Sequence, residues 1–151
     1  MASANSTSTT PVPVVMRAVR LCAPGDPAHL VYEELETPRP GSGEALVRVH
    51  AAAITRDELT WPVDRLPAIP SYEFSGVVSA VGPDVDTVAI GDAVYALSGF
   101  DRDGAAAEYT VVQAAALEVT SVRDAENQGY TAHTPPTEAR QPLDCSDVDG
   151  V

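Results

Sequence analysis

Lysine is absent from the whole chain, and its nine basic residues are all arginine. That excludes Schiff-base chemistry and the phosphate-gripping lysine of a Walker-type loop, since both need an ε-amine. Positive charge as a whole is scarce, with 22 acidic residues leaving a net charge of -13. Nucleic-acid backbones and anionic membrane surfaces are bound by clustered cations that release counterions, so neither is an expected partner. Cysteine occurs only at positions 22 and 145. Two are too few for a disulfide framework, and the expectation is a pair of thiols in a reducing, cytoplasmic setting. No apolar run approaches a membrane-spanning length, and Met1 to Val15 has neither a basic start nor an unbroken apolar core. Also missing are a Gly-x-Ser-x-Gly elbow, a paired-cysteine metal motif and a carboxylate pair at glycosidase spacing.

What is present is enough apolar content, 44% of 151 residues, for one modest core and one domain. The most informative stretch is Pro70 to Leu97. Phe74, Val77, Val78, Ala80 and Val81 form one strand, in which Gly76 predicts a bulge or a close backbone approach. Gly82-Pro83-Asp84 ends it, Ile90-Gly91-Asp92 makes the next turn, and Ala93 to Leu97 resume as a partner strand. Met16 to Cys22 alternates as a half-exposed edge strand. Leu30 to Glu36 alternates with Leu30, Tyr32 and Leu35 against an acidic face of Glu33, Glu34 and Glu36. Glu44 to Ala53, almost without polar interruption, is the central strand, and Tyr109, Val111 and Val112 mark another. Thr55 and Glu58 are spaced as a capping box opening one short helical turn. Several short strands with Gly/Pro turns predict a partly closed antiparallel barrel.

The ends read differently. Met1 to Val15 is uncharged and Ser/Thr/Pro-rich, and Thr120 to Val151 holds six acidic and two basic residues among few bulky apolar side chains. Neither can bury enough surface to offset its ordering entropy, so both are expected to be disordered. The expected division is a leader (1–15), a folded domain (16–119) and an acidic tail (120–151).

The blocks MRAVRL, ALVRVHAAAITRDEL, PSYEFSGVVSAVGPDVDTVAIGDAVYAL and FDRDGAAAEYTVV occur in an order that resembles a known family. It is the N-terminal GroES-like domain of medium-chain dehydrogenase/reductases, and the similarity covers about residues 16 to 119. The branch most resembled is the zinc-free, quinone-oxidoreductase-like one. The resemblance implies a mainly β, GroES-like barrel with one short helix, and NADPH as the coenzyme of the complete enzyme. In such relatives a doubly wound domain with a Gly-rich phosphate turn follows; here no G-x-G-x-x-G occurs, and the tail reads as the product of truncation or frameshift.

In the zinc-dependent branch a Cys and the His of a Gly-His-Glu motif hold the metal, and the matching positions are Thr55 and Tyr72. Neither is a ligand that zinc favours, so no metal is expected. Glu73 survives from the motif, and it either acts in a cleft or is a structural carboxylate capping its turn or pairing with Arg56. Tyr72 is either a phenol aimed at a substrate carbonyl or a half-buried barrel tyrosine. Thr55 is a candidate substrate contact or a helix cap. His50, inside the central strand, is read as structural, and Asp101-Arg102-Asp103-Gly104 as a solvated loop that in relatives can approach the cleft.

Two functions follow from these residues. One is the substrate-side half of a zinc-independent, NADPH-dependent quinone or enoyl reductase, binding no coenzyme by itself and completed by a nucleotide-binding domain in trans. The other is a free-standing barrel that acts as a binding module or a cofactor-free cyclase or isomerase on a small-molecule substrate. A chaperonin-like lid fits less well, because the loop at Ser98 to Ala107 is small and acidic. In either case an uncovered apolar face would favour self-association.

Overall fold

A computed structural model of the chain describes residues 11–61, 64–120 and 145–147. Seven strands form two antiparallel sheets: β1 (Val15–Leu21) pairs with β2 (Leu30–Glu36). The order β6 (Tyr109–Gln113), β3 (Glu44–Ala53), β4 (Glu73–Val81), β5 (Ala93–Leu97), β7 (Glu118–Val119) makes a five-stranded sheet. The remaining regular structure is short 3-10 turns, including Asp57–Thr60 where one helical turn is expected. β1 closes the barrel in part: Val19 N–H donates to Ala106 O and Leu21 N–H to Ala68 O, while Glu108 N–H donates to Arg17 O. Among the described residues no helix is long and apolar enough to cross a membrane.

The period-two pattern does its work in the core. Ala45 and Val47 of β3 meet Phe74 and Val78 of β4, Val94 and Ala96 of β5 and Val112 of β6 in one buried cluster. Met16 and Ala18 of β1 join Leu46, Ile69 and Tyr109 in a second. As expected, β4 and β5 pair, from Glu73↔Leu97 to Val77↔Ala93. Gly76 makes the close backbone approach, and the bulge lies opposite it on β3. The register between β3 and β4 slips between Val49 and Ala51, so that His50 is the extra residue opposite Gly76 and Ser75. A Cβ on Gly76 would collide with the Arg48 carbonyl and lie 2.8 Å from Val47 Cγ1.

Four expectations need correction. In β2 the inward face is Val31, Glu33 and Leu35, and Tyr32 is about half exposed. Strict alternation allows this because Arg20 Nη1 meets the inward Glu33 carboxylate at 2.9 Å. The leader is shorter than 1–15, since Val15 pairs with Glu36 and Thr37 N–H donates to Val14 O; residues 1–10 lie outside the described residues. The cysteines form a disulfide, Cys22–Cys145. A 123-residue separation hides that contact from any reading of local spacing, and Cys145 belongs to a 3-10 turn rather than to unfolded chain. Most of the acidic tail, including 121–144, lies outside the described residues. Finally, Asp101 to Gly104 is not a merely solvated loop. Arg102 Nη2 reaches Glu44 Oε1 at 2.7 Å and Asp103 Oδ1 accepts from Ile69 N–H.

Two predictions follow from these contacts. Gly76→Ala must displace backbone rather than a flexible side chain, so it should lower unfolding free energy by about 2 kcal/mol or more in urea titrations. The Glu44 carboxyl is held below the ordinary carboxylate range, chiefly by the Arg102 hydrogen bond and then by Gly41 N–H. A depressed folded-state pKa gives stabilisation that is present above about pH 4.5 and is lost as pH falls through the folded value. Between pH 7 and about pH 4, the urea midpoint should therefore fall further in the parent chain than in Glu44→Gln.

Candidate functional site

Three segments converge at one end of the barrel: the 3-10 turn at Asp57–Thr60 with Trp61, the run from Asp64 to Tyr72, and the loop carrying Phe100. Their meeting point is set by a buried carboxylate. Glu58 is 4% exposed; its Oε2 accepts from Ser71 N–H at 2.7 Å and its Oε1 from the Thr55 hydroxyl at 3.1 Å. Ser71 occupies the glycine position of the Gly-His-Glu motif and has φ +74°, a left-handed conformation that costs a side-chain-bearing residue on the order of 1 kcal/mol. The Glu58 bond to its N–H, the Ser71 hydroxyl on Glu73 O and Ala105 N–H on Ser71 O hold it there.

That turn aims Tyr72 inward. The tyrosine is 2% exposed, and its ring lies 5.0 Å from Phe100 and 6.1 Å from Trp61, which themselves meet edge to face at 5.4 Å. Arg65 Nη2 donates to the Tyr72 hydroxyl at 3.2 Å and to Phe100 O at 2.7 Å. Above this triad opens a cleft of about 480 Å³ lined by Trp61, Asp64, Arg65, Phe100 and Asp101. The acidic loop does approach the cleft, through Phe100 and Asp101.

Of the sequence candidates, Thr55 and Tyr72 are brought to the same region, linked through Glu58 and Ser71. Tyr72 forms the floor beneath the aromatic rings rather than the mouth. Glu73 is not part of the arrangement: it is exposed, its carboxylate has no hydrogen bond or ion pair with the described residues, and it does not meet Arg56. Period-two alternation explains this, because Tyr72 and Phe74 point inward and Glu73 must point out. Glu58 and not Glu73 is the carboxylate that holds this turn in place. The capping box is likewise altered, since Arg56 rather than Thr55 is the N-cap and the Thr55 hydroxyl bonds the Glu58 side chain. Arg65, Phe100 and Trp61 as a cleft wall were not legible in the sequence, because the segments that carry them meet only in the fold.

His50 sits on the bulge of β3 beside a second, shallower groove of about 300 Å³, and burial with Arg48 nearby lowers its pKa.

The profile of the alcohol dehydrogenase GroES-like domain matches residues 41–122, more than half of the chain. The chain belongs to that family. Similar proteins include L-threonine 3-dehydrogenase of Pyrococcus horikoshii, 33% identical over 131 residues, which cover 66% of this chain and 37% of that protein. The quinone oxidoreductase structure from Coxiella burnetii superposes with a TM-score of 0.67 at 28% identity, over 72% of this chain and 38% of the other. A cobalt- and zinc-bound alcohol dehydrogenase from Pyrobaculum aerophilum gives 0.65 at 31% identity, over 70% and 41%. The chain thus spans well under half the length of each of these proteins.

The residues present do not fit the zinc of that last relative. Thr55 and Tyr72 offer oxygen where thiolate and imidazole suit the metal, and the Tyr72 oxygen already faces a guanidinium. Among the described residues no three His, Cys, Asp or Glu side chains converge as metal ligands.

Glu58→Ala should leave the Ser71 N–H buried and unpaired, lowering unfolding free energy by about 1–3 kcal/mol. Glu58→Gln, which keeps an acceptor, should lose less; equal losses in urea melts would remove Glu58 from this role.

Proposed function

We propose that this chain forms the substrate-side wall of a zinc-independent, NADPH-dependent oxidoreductase of the quinone or enoyl-reductase type. The observation that carries the reading is that the two metal-ligand positions of the zinc-dependent branch are used otherwise, Tyr72 with Arg65 and Thr55 with Glu58, beside an aromatic cleft of small-molecule size. The likeness to a quinone oxidoreductase structure supports it.

NADPH, when bound, supplies the hydride; this chain's residues bind and orient the acceptor. Trp61 and Phe100 exclude water from one side of a bound molecule, Arg65 and the Tyr72 hydroxyl beneath it supply polarity, and Thr55 keeps the Glu58 clamp in place. Holding the dinucleotide falls to a second lobe, in cis or in trans. The chain contains no Gly-rich phosphate turn, and its described residues contain no helix longer than four residues. The outward side chains of β5, Tyr95 and Leu97, are about half exposed and provide an apolar surface for that lobe or for a second copy.

Isothermal titration of NADPH into the isolated chain should give no saturable heat at micromolar concentrations. Saturable binding there would overturn the division of labour between two lobes.

A further inference from the structure

Cys22 stands where β1 ends, between two backbone contacts that reach the segments bearing the cleft. On one side of it, Leu21 and Ala68 exchange both hydrogen bonds, at 2.8 and 3.1 Å, in the same run of chain as Arg65. On the other, Gly25 N–H donates at 2.8 Å to Leu59 O, in the turn that leads into Trp61. The Leu21–Ala68 contact is buried, whereas Pro24 and Gly25 are exposed. The turn carrying Gly25 thus has little burial to hold it, and depends on its hydrogen bonds and on the anchoring of Cys22.

That anchor is covalent. The disulfide to Cys145 closes residues 22–145 into a ring that contains every strand from β2 to β7. The turn Cys145–Asp147 belongs to neither sheet, so the sulfur–sulfur bond is what fastens it covalently to the end of β1. Both cysteines are partly exposed, which lets an external thiolate reach the sulfurs. The chain has no third cysteine to exchange with them, so the exchange partner comes from outside.

We propose that Cys22–Cys145 is a reversible thiol–disulfide exchange site whose oxidation state sets the order of the aromatic cleft, with an external dithiol as its reductant. A thiolate of the dithiol attacks one sulfur, the bond between Cys22 and Cys145 breaks, and the other sulfur leaves as a thiolate. The second sulfur of the dithiol then displaces the first cysteine as it closes its own disulfide. Two electrons and two protons end on Cys22 and Cys145, and the reverse exchange with an external disulfide removes them. In the reduced chain the Gly25–Leu59 contact opens more often and the turn bearing Glu58 and Trp61 loosens, while β3 and β4 stay paired. Its meaning for catalysis rests on the cleft being the substrate wall, and the coupling rests on the contacts alone.

The test uses the full chain and dithiothreitol. Denatured without reductant, the chain should show no thiol to dithiobis(nitrobenzoate), and after reduction both cysteines should react. In spectra of nitrogen-15-labelled chain, dithiothreitol should shift and broaden the indole peak of Trp61, the sole tryptophan, and the amide peak of Gly25, leaving those of Val47 and Val78 in place. Oxidised glutathione should restore them. Cys145→Ser should show the reduced spectrum from the outset and not respond to dithiothreitol, and Cys22→Ser should match it. The melting temperature of the parent should fall by about 10 °C or more on reduction, because the lost ring is long. Free thiols in the denatured, unreduced chain overturn the site. A Trp61 peak that does not move on reduction overturns the coupling to the cleft, and so does collapse of the whole spectrum, in the parent or in both variants, which would make the bond a staple of the entire domain. A response to dithiothreitol that persists in Cys145→Ser overturns the assignment of the sulfurs. None of these measurements involves the dinucleotide, so their failure leaves the proposed function to be judged by its own NADPH titration.

Discussion

A buried carboxylate costs several kcal/mol unless its oxygens are hydrogen-bonded, and Glu58 is bonded at both, to the Ser71 N–H and the Thr55 hydroxyl. In meeting that need it ties the turn after β3 to the entrance of β4. Ser71 is thereby held left-handed, and its conformation decides that Tyr72 enters the core while Glu73 faces outward. The aromatic triad, the Arg65 contact and the cleft above them all depend on where that one residue points.

The loop between β5 and β6 is the other half of the arrangement. Arg102 binds Glu44 on β3, Asp103 caps Ile69 N–H, and Gly104 lies so close to the carbonyls of Pro70 and Ser71 that no side chain could stand there. These contacts are polar and specific, and they deliver Phe100 to Tyr72. A loop composed of small and acidic residues thus acquires order from its partners rather than from a core of its own. The cleft is consequently hydrogen-bonded at its base and open at its rim, where Trp61 and Phe100 are about half exposed.

Much of the strand pattern was legible because it is local. Glu44 to Ala53 and Ala93 to Leu97 read as strands with the observed limits, since continuous apolar runs bounded by turn residues leave little choice. Gly76 declared the close approach, while the bulge opposite it falls at His50 of β3. The face of β2 was misread because Tyr32 looks more apolar than the inward Glu33, whose partner Arg20 lies on another strand. Glu73 stands in a motif position that is visible in a sequence, whereas the burial of Glu58 is not. Arg65 and Phe100 meet across 35 residues, and Cys22 and Cys145 across 123, separations at which spacing carries no information.

Family, β architecture and the absence of thiolate and imidazole at the two metal positions were determined by residue identity and order alone, because alternation, turn chemistry and ligand chemistry are properties of the residues themselves. Which carboxylate is buried, which tyrosine face is covered and which arginine meets the Tyr72 hydroxyl were decided only by the tertiary structure. Each of those depends on desolvation and on contacts between segments far apart in the chain, and neither exists until the barrel closes.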